Sequence, residues 1–107
     1  MTIVSLIVPV YESPEFIEPF FKFLHQNPLS NGIEIIIVDN GSTDGFYNEL
    51  VAQGESIINC NIYSYSEKQS SYAARNFGAS QAKGQVLAFT DFDCILSKAY
   101  IDLLLVI

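Results

Sequence analysis

The stretch that decides the fold is Val4-Ser5-Leu6-Ile7-Val8-Pro9-Val10, an apolar run rich in β-branched residues near the start of a 107-residue chain. A second such run, residues 33–38 (IEIIIV), follows after a helical stretch. Continuous apolar runs of this length are typical of parallel strands that are buried on both faces of a sheet. The two runs therefore predict the central strands of an α/β domain.

Helical patterns alternate with strand patterns along the chain. Ser13-Pro14 predicts a helix start, with Ser13 as N-cap and Pro14 in the first turn, and Asn27-Pro28 predicts its end. The remaining predicted elements are helices over 46–53 and 71–83, a last helix from Ser97, a weak strand over 61–65 and a strand over 86–90. The βαβαβαβα order indicates a Rossmann-like, mostly parallel sheet with helices on both faces, joined by right-handed crossovers.

The predicted third helix has a small inward face made of Ala74, Gly78 and Ala82. Small residues let a helix pack close to a sheet, so we expect a short distance between the two. Gly84 follows this helix and is expected to end it.

Composition excludes several classes of protein. Twelve acidic against five basic residues give a net charge of -7, so no cationic patch for nucleic acid or anionic membranes can be assembled. Half of the residues are hydrophobic, which excludes disorder. Two cysteines are too few for a disulfide scaffold, and no signal peptide is visible, so we expect a cytoplasmic location.

Polar residues follow the predicted strands where parallel sheets bind ligands, beyond their carboxyl ends. Asp91-Phe92-Asp93 follows the fourth strand. Its two carboxylates can face one Mg²⁺ or Mn²⁺ ion, or one ion and one sugar hydroxyl. The alternative is a solvated loop with an incidental acid pair. The starts of the strands, by contrast, carry nothing unusual.

Two single residues are further candidates for the same site. Asp39 ends the isoleucine-rich strand, where its carboxylate can accept hydrogen bonds from a base or a ribose, or else cap the following turn or helix. Arg75 is the only arginine; it can neutralise the acids or grip a diphosphate, or else lie on the surface paired with a glutamate. The single histidine, His25, is assigned no role.

Five motifs, in this order and with natural spacing, resemble the family-2 glycosyltransferases of GT-A fold. They cover nearly the whole chain and read VSLIVPVY from Val4, EIIIVDNGSTDG from Glu34, ARNFG from Ala74, AKG from Ala82 and FTDFD from Phe89. The resemblance implies that residues 1–107 are the nucleotide-sugar-binding part of a glycosyltransferase domain, incomplete at the C-terminus. The expected activity is transfer of a sugar, of hexosyltransferase type, from a UDP-sugar in polysaccharide biosynthesis.

The resemblance also implies a nucleotide pocket. Pro9, Val10 and Tyr11 would line it. Glu12 would stand at its rim, and Asp39 would bind the base, which is typically uracil.

For the phosphates and the metal, the resemblance implies roles for three more residues. Arg75 would lie near the nucleotide and its phosphates, Asp91 near the ribose and the metal, and Asp93 would ligate the Mn²⁺ or Mg²⁺ that bridges the diphosphate. Such an ion neutralises the charge that develops on the leaving nucleoside diphosphate.

The chain departs from the family pattern in three places. Glu12 stands where the family often has asparagine, and Gln69-Ser70 stand where it often has glycines. Cys94 stands where many members have another aspartate, which removes a possible extra acid at the metal.

The resemblance places the general base of the reaction beyond this chain. In the family the base and the acceptor-binding half follow the acidic motif, but only 14 residues follow Asp93 here, so the base is expected downstream of Ile107. We therefore expect the chain alone to be inactive. The aliphatic stretch that ends at Ile107 is expected to pack against a missing C-terminal half or a second copy. The acceptor is unidentified, and a full-length protein is expected at the inner face of the membrane.

Two other functions stay open at this point. One is a non-catalytic nucleotide-sugar-binding or interaction module that keeps the fold. The other is a haloacid-dehalogenase-like phosphatase, because residues 87–93 (LAFTDFD) resemble its nucleophile strand. That family places this strand near the start of the domain, whereas here it comes last.

Overall fold

The structure is a computed structural model that describes residues 2–93. Four parallel strands form one sheet in the order β3-β2-β1-β4, with β1 at Val4–Val10, β2 at Ile33–Asp39, β3 at Cys60–Ser64 and β4 at Val86–Phe89. The helices are α1 at Ile17–Gln26, α2 at Asp44–Gly54 and α3 at Ser71–Gln81, and a 3₁₀ turn at Pro14–Phe16 precedes α1. The predicted α/β order is confirmed over this range.

Three predictions concern the end of the chain and lie outside the described residues. They are the last helix from Ser97, the role of Cys94, and the packing of the aliphatic stretch that ends at Ile107. The general base expected downstream of Ile107 is likewise beyond the described residues, so it stays a prediction.

The sheet is covered by helices on both faces. Alternate residues of β1 and β2 pack with α1 and α2 in the larger core, in which Phe21, Leu24 and Leu50 are fully buried. The intervening residues Ile7 and Ile36 pack against α3 in the smaller core. This two-sided burial explains why β1 and β2 are continuous apolar runs.

The small inward face of α3 brings that helix close to the sheet, as predicted. Ala74 is fully buried, and a Cβ atom on Gly78 would lie only 2.6 Å from Cγ2 of Ile7. Ala82 does not belong to the helix, because α3 ends at Gln81 and Ala82 is extended.

The first helical segment starts where it is predicted to start, with Ser13 as the N-cap of the 3₁₀ turn and Pro14 in its first turn. The Ser13 side chain makes no capping hydrogen bond, because its hydroxyl donates to the Tyr11 carbonyl oxygen at 2.8 Å. The prediction that Gly84 ends α3 is wrong. Gly84 lies beyond the end of α3 and against β1, where an added Cβ would lie 2.7 Å from Oγ and 2.8 Å from N of Ser5. Gly84 is therefore required by close backbone approach and not by a helix cap.

The starts of the strands also differ from the expectation, because they hold a buried polar network. Ser5 is fully buried, and its hydroxyl donates to Oε2 of the buried Glu34 at 2.6 Å. The Lys83 N–H donates to the same oxygen at 2.7 Å, and the Gly84 N–H donates to Oγ of Ser5 at 2.8 Å. We call these four residues the Glu34 network; it ties the α3–β4 connection to the centre of the sheet.

Strand β4 forms one edge of the sheet and is only half covered. Leu87 and Phe89 are 42% and 45% exposed, so burial on both faces is limited to β1 and β2. Among residues 2–93, no helix is long and apolar enough to cross a membrane.

Candidate functional site

The carboxyl edge of the sheet carries a cleft of about 360 Å³. The loop after β1 forms one wall, and the segment after β4 forms the other. The cleft brings together five of the residues nominated from the sequence, which are Pro9, Val10, Tyr11, Asp91 and Asp93; Ser13, Phe16 and Phe92 complete the lining.

Phe92 anchors the acidic segment of the cleft. It is 5% exposed, and its ring centroid lies 5.0 Å from that of Phe20 and 6.5 Å from that of Phe16. The flanking Asp91 and Asp93 are exposed. Phe92 therefore packs the loop against α1, while Asp91 and Asp93 on either side of it are exposed. The residue pattern alone does not reveal this role of Phe92.

Asp39 is buried at the end of β2 without a partner for its charge. It is 1% exposed, and within residues 2–93 neither carboxylate oxygen accepts a hydrogen bond. Burial raises the pKa of this carboxyl above its ordinary value of 3.8. Ser42 lies close enough to lower the pKa of Asp39 in part, although it makes no hydrogen bond to the carboxylate. The negative charge of Glu12 adds to the increase in pKa that burial causes. Buried polar groups are nearly always paired, so this carboxylate is an acceptor that lacks its donor.

The neighbouring Asn40 fixes the loop between β3 and α3 at this edge of the sheet. Its Nδ2 donates to the carbonyl oxygens of Tyr65 and Lys68, both at 3.0 Å. Its own N–H donates to the Val10 carbonyl oxygen at 3.0 Å, and Nε2 of Gln69 donates to its carbonyl oxygen at 3.3 Å. Asn40 thereby holds the β3–α3 loop beside Asp39. These partners are distant in sequence, and no local signal marks them.

Arg75 forms an ion pair across the site. Its Nη2 lies 3.1 Å from Oδ1 of Asp91, and the two side chains are 37% and 57% exposed. The arginine thus faces the acidic segment and is not paired with a glutamate. It brings the N-terminal part of α3 into electrostatic contact with the segment after β4.

The acidic pair fits a hard divalent cation that draws further ligands from elsewhere. Within residues 2–93, no cluster of three or more His, Cys, Asp or Glu side chains is placed to hold a metal ion. Mg²⁺ and Mn²⁺ are commonly held by one or two carboxylates, with waters and substrate phosphates completing the shell. Asp91 and Asp93 beside an open cleft match that donor set.

One nominated residue, Glu12, and two polar residues that were not nominated lie outside the cleft lining. The carboxylate of Glu12, predicted at the rim, is engaged by Thr43. His25 lies outside the cleft lining, 3.3 Å from Oγ of Ser56. Burial raises the pKa of the Cys60 thiol to about 11, so this cysteine is an unreactive thiol.

Known proteins with similar sequences are glycosyltransferases. Glycosyltransferase AglE of Haloferax volcanii is 40% identical over 92% of this chain and 33% of its own length. The putative glycosyltransferase EpsH of Bacillus subtilis is 32% identical over 95% of this chain and 29% of its own length. The chain thus spans about a third of the length of these curated relatives.

Solved structures agree on the fold. S. aureus TarS 1-349 matches 98% of this chain with a TM-score of 0.83 at 23% identity, covering 32% of that protein. The mannosyltransferase PcManGT from Pyrobaculum calidifontis, in complex with GDP-Man and Mn²⁺, matches 84% of this chain and 27% of its own, with a TM-score of 0.74 at 25% identity. TarS 1-349 has also been solved with UDP, and that structure matches with a TM-score of 0.71 at 26% identity over 86% of this chain and 28% of its own. The predicted GT-A type of α/β fold is confirmed.

A family model described as glycosyl transferase family 2 matches residues 5–105. This match extends over almost the whole chain, so the phosphatase alternative has no support. The motifs, the parallel sheet and the sequence relatives agree, and the chain belongs to glycosyltransferase family 2.

Proposed function

We propose that this chain binds the nucleotide-diphospho-sugar donor, preferably a UDP-sugar, as the donor- and metal-binding part of a hexosyltransferase of polysaccharide biosynthesis. The names of the relatives support sugar transfer. Two structural neighbours, one solved with GDP-Man and Mn²⁺ and the other with UDP, support a nucleotide-sugar ligand and a divalent ion. The observation that carries the proposal is the buried carboxylate of Asp39, which has no partner within residues 2–93 and whose register partner, Val10, lines the cleft.

The base is the group that completes the hydrogen bonding of Asp39. A buried carboxylate without donors is unfavourable, and an N–H group from a ligand removes that penalty. Within residues 2–93, both carboxylate oxygens lack a donor. The imide N–H of uracil provides one. Guanine offers two adjacent N–H donors, which makes GDP the principal competitor.

The other nominated residues serve the sugar phosphates. Asp93 and Asp91 would hold Mn²⁺ or Mg²⁺ at the cleft, and the bound cation supplies neutralisation of charge on the leaving nucleoside diphosphate. Arg75, already 3.1 Å from Asp91, adds positive charge on the same side. Pro9, Val10 and Tyr11 line the opposite wall, where they would contact the nucleotide.

The test is a set of calorimetric titrations with UDP, GDP and dTDP, each with and without Mn²⁺. We expect UDP to bind tightest and only in the presence of Mn²⁺. Asp39→Asn should weaken UDP binding about 10-fold to 100-fold, because it removes a charge-assisted hydrogen bond. For Asp93→Ala, addition of Mn²⁺ should no longer increase the affinity for UDP.

The matched control is Asp44→Asn, which changes an exposed aspartate at the start of α2. It should bind UDP like the unmodified chain. No nucleotide binding, or binding that is indifferent to Mn²⁺, would contradict the proposal. Sugar transfer itself is proposed only for a longer protein, since the chain spans about a third of its relatives, and we expect no transfer by the 107 residues alone.

A further inference from the structure

Glu12 joins the loop after β1 to the loop after β2. Its backbone N–H donates to Oγ of Ser42 at 2.9 Å. Its two carboxylate oxygens accept from the N–H of Thr43 at 3.2 Å and from the Thr43 hydroxyl at 3.3 Å. These contacts span 30 and 31 residues of sequence and connect exposed groups that water could otherwise solvate.

The backbone of Glu12 is strained. Its φ angle is +40°, in the left-handed region, and Asn59 is the other non-glycine residue in residues 2–93 with a positive φ. Glutamate is poorly suited to this region, and holding it there costs on the order of 1 kcal/mol. The strain persists because the three hydrogen bonds hold the residue in place.

The carboxylate also lies at the beginning of α2. Thr43 is the N-cap of that helix, but its own side chain makes no capping hydrogen bond. Glu12 supplies a negative charge at this end of the helix from another loop, which is favourable next to the helix dipole. Tyr11 begins the first of the two loops that Glu12 connects, and Asp39 directly precedes the second. Because Val10 and Asp39 are register partners on neighbouring strands, Tyr11 and Asp39 lie at the same edge of the sheet, where we place the base.

We propose that Glu12 is a positioning residue for base recognition, which latches the Tyr11 loop to the Ser42–Thr43 loop and so fixes the base pocket between Tyr11 and Asp39. This inference rests on the proposed function. Both carboxylate oxygens are engaged by Thr43, and a negative charge repels a diphosphate, so Glu12 acts through the loops and does not itself touch the nucleotide.

The experiment compares UDP with pyrophosphate, each titrated in the presence of Mn²⁺ against Glu12→Ala and Glu12→Gln. Glu12→Ala should weaken UDP binding about fivefold to tenfold, because the base pocket loses its fixed width. It should leave pyrophosphate binding unchanged, since pyrophosphate has no base. Glu12→Gln keeps the length and one oxygen acceptor, so it should restore most of the UDP affinity.

The control is Glu15→Ala, which removes an exposed acid in the neighbouring 3₁₀ turn. It should change neither titration. Unchanged UDP binding by Glu12→Ala, or an equal loss for UDP and pyrophosphate, would overturn the inference. Failure of the unmodified chain to bind UDP would instead refute the proposed function, so the two failures are distinguishable.

Discussion

Strand β2 carries a buried carboxylate near each end, and within residues 2–93 only one of the two accepts hydrogen bonds. Glu34, near the amino end, is 4% exposed and accepts hydrogen bonds from the Ser5 hydroxyl at 2.6 Å and the Lys83 N–H at 2.7 Å. Asp39, at the carboxyl end, is 1% exposed, and its carboxylate accepts none from the part of the chain that the structure describes. The same strand thus buries one acid that is satisfied internally and one that is not.

The difference separates a structural role from a binding role. When a buried carboxylate is hydrogen-bonded, loss of one member of the network is costly, because it leaves the other polar groups buried without a partner. A buried charge without partners reduces stability and persists only where another need maintains it. We therefore assign the Glu34 network to the fold, whereas for Asp39 we propose a binding role.

The largest expected effect is on the Glu34 network. Glu34→Ala should lower the free energy of unfolding by about 3 kcal/mol, because the Ser5 hydroxyl and the Lys83 N–H lose their acceptor in a buried position. Urea unfolding followed by circular dichroism measures this. Glu55→Ala, which changes an exposed acid just after α2, is the control and should stay near the unmodified chain. A loss below about 0.5 kcal/mol for Glu34→Ala would mean that the Glu34 network does not stabilise the fold, and would contradict the contrast with Asp39.

The next effect concerns the close approach of Gly84 to β1. Gly84→Ala should cost about 2 kcal/mol, since the new Cβ meets backbone atoms of Val4 and Ser5 that cannot move aside cheaply. Gly45→Ala is the matched control, because nothing lies within 4 Å of a Cβ there among the described residues. Thermal unfolding of both variants checks the prediction. Equal melting temperatures would show that the α3–β4 connection can shift to accommodate the Cβ atom without loss of stability.

Asp39→Asn should act in the opposite direction and increase stability by about 1 kcal/mol at neutral pH, because it removes an unpartnered buried charge. The pKa of Asp39 is raised in the folded state, so the folded chain binds the proton more tightly than the unfolded chain. The stability advantage of the variant should therefore narrow as the pH falls through the raised pKa toward 3.8. Urea unfolding across this range tests it. A variant that is less stable than the unmodified chain at neutral pH would mean that the charge is satisfied in the folded protein.

The smallest effect is expected for the ion pair between Arg75 and Asp91. Arg75 and Asp91 are partly solvated, so Arg75→Gln should change the free energy of unfolding by about 0.5 kcal/mol. The difference should vanish in roughly 1 M salt, where the Debye length is about 3 Å. Lys22→Gln, an exposed lysine on α1, is the control. A loss of several kcal/mol that persists in salt would make this pair structural, like the Glu34 network.

How much of the fold and of the candidate site is predictable from the sequence depends on how far apart the contacting residues are along the chain. The strands β1 and β2 are predicted closely, because their apolar runs are local signals of two-sided burial. Asp39 is conspicuous because an acid directly follows an isoleucine-rich run. The metal and nucleotide roles of the nominated residues come from resemblance and remain predictions.

The features that escape prediction depend on partners far apart in the chain. Glu34 looks unremarkable at the start of a strand until Lys83, 49 residues later, is seen to donate to it. Gly84 resembles a helix stop, yet its neighbour is Ser5, 79 residues earlier. The contacts of Asn40 reach over 25 and 28 residues. Such pairings are set by the strand order and not by any local pattern.

The strand order also has a consequence for how the chain folds. The contact between Ser5 of β1 and Glu34 of β2 closes a segment of 29 residues, whereas the contact between Ser5 and Gly84, just before β4, closes one of 79. Longer closures are entropically more costly and slow the formation of the contacts that need them. We therefore expect the base side of the cleft to form before the acidic side, with β1 and β2 protected from hydrogen exchange earlier than β4 during refolding. The cleft would then be the last part of the molecule to be assembled, although its two walls lie on adjacent strands.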